Sequence, residues 1–148
     1  MRLSKQAVAS MVVAGSLLGA SLAVVAADAF QERHMAMETV GDAMKPLAAI
    51  AKKEAPFDAA VVKTNATTIA DHLKMAAGLF PAGSGGGKSL AKPEIWTDAA
   101  GFDKAMKDAH AAAVALQSVA DEAAYRPALG ALGATCKGCH DKYRIPKQ

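Results

Sequence analysis

Cys136-Lys137-Gly138-Cys139-His140 stands at the end of the chain, with only eight residues after it. Two thiols three residues apart, with an imidazole directly behind, form the Cys-x-x-Cys-His pattern by which a c-type haem is attached. Each thiol makes a thioether with one haem vinyl group, and the imidazole is presented to the iron. The spacing suits a helix. At about 100° per residue, Cys136, Cys139 and His140 fall within roughly 100° of arc, so one face carries both attachment points and the axial ligand. Leu129, Leu132, Gly133, Tyr143 and Arg144 lie on the same side, which makes the haem-binding face the core-facing one.

Other uses of the cysteines fit less well. A thioredoxin-like pair opens a helix after a strand, and nothing here reads as a strand. A structural zinc site takes four ligands, but these are the chain's only two cysteines. A disulfide between residues three apart in one helix would constrain almost nothing.

The opposite end reads as an address. Arg2 and Lys5 make a positive start, an Ala/Val/Leu/Ser/Gly run follows, and Val25-Ala26-Ala27 supplies the small residues of a cleavage site before Asp28. Residues 1–27 are expected to be a signal peptide. Residues 28–148, 121 in number, then form a single domain. Cleavage removes two basic residues and no acidic ones, taking the formal charge from +3 to +1. Two haem propionates would bring it near or below zero, so the basic balance is no argument for nucleic acid. No membrane association is expected once the signal is removed. Haem is attached to such motifs outside the cytoplasm, which points to a bacterial periplasm.

The remaining chain reads as four helices. The first runs from a cap at Asp28 to about Lys53, with Phe30, Met37, Val40, Met44, Leu47 and Ala51 as its apolar stripe. Pro46 inside it is expected to kink the helix or end its first part. A second starts after Asp58 and reaches about Leu79 through Val62, Ile69, Leu73, Ala76 and Phe80. A third, capped by Thr97 or Asp98, carries Phe102, Met106, Ala109, Ala113, Leu116 and Ala120. The last starts near Glu122 or Pro127 and ends near Arg144, before Pro146. His34, His72 and His110 lack a partner at metal-ligand spacing and read as surface residues.

Between the second and third helices lies a long connection, residues 81–98, rich in Gly, Pro and Ser. Its Gly85-Gly86-Gly87-Lys88-Ser89 run is not a phosphate loop. The first glycine of that motif would fall at Ala82, and no strand precedes it. The segment is expected to cross the bundle, anchored by Ile95 and Trp96. Four helices with one long crossover describe an all-α antiparallel four-helix bundle, with haem c in its core near the C-terminal helix. Aromatic residues make up only 5% of the chain, and a buried haem would act as a large apolar core group.

The motif's position matters. Nothing downstream of His140 can reach the iron's other side, so that side comes from an earlier helix, with Met37 the foremost candidate. Here the chain resembles the class II cytochromes c, most closely the cytochromes c′, over essentially all of residues 28–148. The likeness rests on the terminal Cys136–His140 motif with Tyr143-Arg144 behind it, on Arg33 four residues before Met37, and on the run Lys92-Pro93-Glu94-Ile95-Trp96-Thr97-Asp98-Ala99-Ala100 before Phe102.

The resemblance implies that Cys136 and Cys139 hold the haem and that His140 is the proximal, metal-binding ligand. It puts Arg33 near a propionate, Met37 over the distal face, Arg144 near the proximal pocket and Phe80 at the haem edge. It further implies a five-coordinate, high-spin iron that admits small diatomic gases such as NO and CO and can cycle by one electron with a redox partner protein. The alternative is a six-coordinate, low-spin electron carrier like cytochrome c556, with Met37 as the sixth ligand. A peroxidase-like enzyme would want a distal acid–base group, where Met37 and Val40 are expected, so no catalytic residue is assigned. Family members often dimerise through their first two helices, and the outward Ala and Met residues there permit a homodimer.

Overall fold

The computed structural model describes residues 17–146, with side chains described from Asp28 onward. Residues 1–16 of the expected signal segment lie outside the described residues. The described residues form five helices, α1 (Leu17–Ala51), α2 (Ala59–Ala77), α3 (Glu94–Thr97), α4 (Ala99–Leu116) and α5 (Glu122–Tyr143). Four of them form an antiparallel bundle, and α3 is a single turn in the crossover. Among the described residues there is no strand beyond one isolated bridge, Ala91 to Arg144, and no helix is long and apolar enough to cross a membrane.

Local chemistry explains most of the ends. Asp58 accepts from the backbone N–H groups of Ala60 and Val61 and starts α2 as expected. Asp98, not Thr97, caps α4 through Gly101 N. Asp121 caps α5 through Ala124 N, so that helix begins at Glu122 and carries Pro127 inside it. The expected cap at Asp28 does not form in this chain, because α1 already runs from Leu17. Pro46 does not end α1 either, and the helix continues to Ala51. There the chain reverses through a Schellman motif: Glu54 N bonds Ala49 O, Lys53 N bonds Ile50 O, and Lys53 takes the left-handed conformation at φ 63°. Helices α2 and α4 stop short of expectation, at Ala77 and Leu116.

Packing runs in chain order, α1 on α2, α2 on α4 and α4 on α5, without a comparable seam between α1 and α5. The α2 and α4 stripes are buried largely as read from periodicity. In α1 the buried line is Ala29, Arg33, Ala36, Val40, Ala43, Leu47 and Ile50. Met37 and Met44 flank it, half-buried against the core. Apolar character alone favours methionine over alanine as the stripe's centre. The helix instead puts the small residues inward, where a neighbouring helix comes close.

Candidate cofactor site

Cys136 and Cys139 sit one turn apart near the end of α5, free and half-buried, with both side chains packed against the core. Burial pushes both thiols above the ordinary cysteine value, and Cys139 rises further through its proximity to Cys136. A dithiol made for exchange has a lowered pKa, and burial moves this pair in the opposite direction. The two thiols instead stay protonated on an apolar face.

His140 follows directly. It is open to solvent on one side, yet the surrounding protein removes enough water to lower its pKa, and the Arg144 charge lowers it further. Both effects favour the neutral imidazole that a metal requires. Within the motif, the exposed Lys137 pairs with Asp141 across one turn. A methyl group added at Gly133 would meet no protein atom, so close helix approach does not account for that glycine. Two protonated thiols on one face, with a neutral imidazole beside them, are the donor set that thioether attachment and axial ligation of haem need.

Among the described residues Arg33 is the one buried cation. Its Nη1 donates to Leu79 O (3.1 Å) and Ser84 Oγ (2.8 Å), and its Nη2 donates to Ser84 O and Ser89 Oγ (2.7 Å). The guanidinium also lies over the Phe80 ring, 4.9 Å from the centroid, and near Phe30 at 5.5 Å. All four acceptors are neutral, and burial lowers the Arg33 pKa. Arg33 therefore holds the crossover to α1 while its positive charge has no carboxylate bonded to it. That charge suits a nearby propionate, as the resemblance implies, but its hydrogen bonds go to the loop.

Phe80 connects this corner to α5. Its ring packs edge-on to Phe102 (4.7 Å between centroids), and Phe102 packs edge-on to Tyr143 (5.3 Å). Tyr143 Oη donates to Asp98 Oδ2 (2.9 Å), which also accepts from Lys142 Nζ (2.5 Å). Trp96 anchors the crossover as expected, its Nε1 donating to Phe80 O and Pro81 O. The crossover passes so close to it that a Cβ at Gly85 would stand 2.6 Å from the Trp96 ring.

The structure thus joins Arg33 to Phe80, and Arg144 to His140, while Met37 stays on the flank of the α1 stripe. His34 is exposed and 3.4 Å from Glu38. His72 and His110 are half-buried, contrary to expectation, and His72 Nδ1 has no partner within the protein. Residues not singled out from sequence are Ser84 and Ser89, both buried beneath Arg33, and Asp98 as partner of Lys142 and Tyr143. A serine inside a Gly/Ser-rich crossover gives no local signal. Only the buried arginine, 51 to 56 residues away, marks these two.

Comparison with known proteins places these features in a family. Residues 28–144 match the family model described as Cytochrome C′. Cytochrome c′ from Rhodopseudomonas palustris superposes with a TM-score of 0.78 at 41% identity, covering 82% of this chain and 98% of that one. A mutant cytochrome c prime from Alcaligenes xylosoxidans, solved as its nitric oxide complex, gives 0.75 at 34% identity, covering 82% and 97%. Cytochrome c-556 from Agrobacterium fabrum is 42% identical over 127 residues, which is 84% of this chain and 86% of that relative.

Proposed function

The chain belongs to the cytochrome c′ family, and on that footing we propose that it is a periplasmic haem c protein that binds small gases, chiefly NO and CO, and exchanges single electrons. Proteins of this family carry covalently attached haem c, and Cys136 and Cys139 are this chain's two thiols for it. When bound, the haem supplies a redox-active iron with a coordination position for a diatomic gas.

The protein's own residues do the rest. His140 offers a nitrogen from one side, and burial, joined by the Arg144 charge beside it, favours the neutral form of that imidazole. Helix α1 supplies the other wall with Val40 buried and Met37 half-buried. Arg33, the buried polar residue of that stripe, has its donors engaged by Leu79, Ser84 and Ser89. This engagement is the observation that carries the reading. It leaves the α1 face hydrocarbon and thioether, with no group to give or take a proton, which suits binding a small neutral gas and not cleaving a peroxide. Binding and electron exchange, without substrate turnover, make this a non-enzyme.

Met37 supports a second reading. Its half-buried thioether and the cytochrome c-556 relative both suit a sixth ligand and a low-spin electron carrier. Ferric and ferrous absorption spectra of the wild type and Met37→Ala separate the two. The gas-binding reading expects high-spin spectra in both proteins and prompt CO and NO binding to the ferrous wild type. A low-spin wild type whose sulfur-to-iron band vanishes in Met37→Ala would replace it with the carrier reading.

The address follows the sequence: residues 1–27 direct export and are removed. A homodimer through α1 and α2 is compatible with the exposed Met35 and Met75 on those helices.

A further inference from the structure

The crossover between α2 and α4 is bonded at both ends to helices it does not connect in sequence. We infer that residues 79–92 form a strap through which Arg33 on α1 positions the last turn of α5, the turn that carries His140 and Arg144.

At the α1 end, Arg33 holds Leu79, Ser84 and Ser89. At the α5 end, Ile145 N donates to Leu90 O (2.7 Å), Lys92 N donates to Tyr143 O (3.0 Å), and Lys92 Nζ donates to Asp141 O (2.9 Å). One side chain joins the two ends. Ser89 Oγ accepts from Arg33 Nη2 at 2.7 Å and from Ala91 N at 3.2 Å, and Ala91 is the residue bridged to Arg144. Guanidinium, hydroxyl, amide and bridge therefore form one unbroken line from α1 to the turn behind His140.

This line matters because α1 and α5 share no seam of the kind that joins the other neighbours. Beside it runs an apolar route, Phe80 to Phe102 to Tyr143, which ends on the same turn. A displacement of α1 near Arg33 is carried to the His140 turn along these hydrogen bonds, buried at Arg33 and part-buried from Ser89 to Ala91, and along the ring contacts beside them. Arg33 and Ser89 are thus positioning residues. Their effect on the iron rests on the ligation by His140 proposed above, whereas the strap rests on the hydrogen bonds alone.

The haem-loaded protein tests this through Ser89→Ala, which removes the shared acceptor, and through Arg33→Lys, which keeps the charge but loses the fork. Two readouts are taken: amide hydrogen exchange at Lys92 and Ile145, and the iron–imidazole stretching frequency of the ferrous protein. Both variants are expected to speed exchange at these two amides by about tenfold, to leave Ile69 and Ala109 in the α2–α4 seam unchanged, and to shift the stretch. Wild-type exchange at Lys92 and Ile145 would overturn the strap. Faster exchange with an unmoved stretch would overturn the positioning role. A wild type without any iron–imidazole band would overturn the His140 ligation instead, and the amides would still decide the strap.

Discussion

Tyr125 Oη on α5 donates to the backbone carbonyl of Leu47 on α1 at 2.5 Å, and both residues are fully buried. Some 15 residues of α5, about 22 Å at 1.5 Å per residue, separate this tie from His140. It fastens the two helices at the bundle end away from the Cys-x-x-Cys-His turn, and Phe57 packs against the same ring at 5.6 Å. The strap works at the other end.

Tyr125→Phe keeps the ring and removes the hydroxyl. Leu47 O loses this partner inside the core, so stability should fall by about 1–2 kcal/mol in urea unfolding. The visible spectrum should stay the same. A stability equal to wild type would show that the tie contributes nothing.

Arg33→Met keeps the apolar stem but leaves Ser84, Ser89 and Leu79 O without their donor. The expected loss is about 2–4 kcal/mol by chemical denaturation. Proteolysis should then cut first within residues 79–92, where the freed loop opens. Cleavage first at the 52–58 turn would contradict the assignment of Arg33 as its anchor.

Lys53 stands in the left-handed conformation that glycine adopts freely. Lys53→Gly relieves this at the Schellman end of α1 and should raise stability by about 0.5–1 kcal/mol, read as a higher Tm. An unchanged or lower Tm would mean that the gain is lost to the more flexible unfolded chain.

These positions differ in how visible they are from sequence. The four bundle helices, the Asp58 cap and the Phe102–Met106–Ala109–Ala113–Leu116 stripe were legible because each depends on residues within a turn or two, whereas the single turn of α3 inside the crossover was not. The haem motif was legible for the same reason. The centre of α1 was displaced by one position, since long methionines reach the core from the flank while Ala36 and Ala43 occupy it. The burial of Arg33 was hidden, because all its acceptors lie 46 to 56 residues further on. The role of Ser89 was hidden still more deeply: it acts only through a bridge formed with the C-terminal turn.

Asp98 has a pH signature. Its hydrogen bond from Lys142, then those from Tyr143 and Gly101, hold its carboxyl below the usual carboxylate range. A carboxyl lowered in the folded state contributes stability that is present above its unfolded pKa and is lost as pH falls through its folded pKa. Wild type should therefore lose stability on the acid side as Asp98 is protonated. Asp98→Asn should be less stable at neutral pH and should show a flatter acid limb. Parallel acid limbs in the two proteins would exclude this carboxyl as the cause.

Intact mass of the denatured, purified protein, taken with and without a thiol-alkylating reagent, tests the central claim most directly. The account predicts a polypeptide heavier by one haem, with neither Cys136 nor Cys139 available to the reagent. A bare polypeptide mass with two alkylated thiols, or a pair closed as a disulfide, would contradict it.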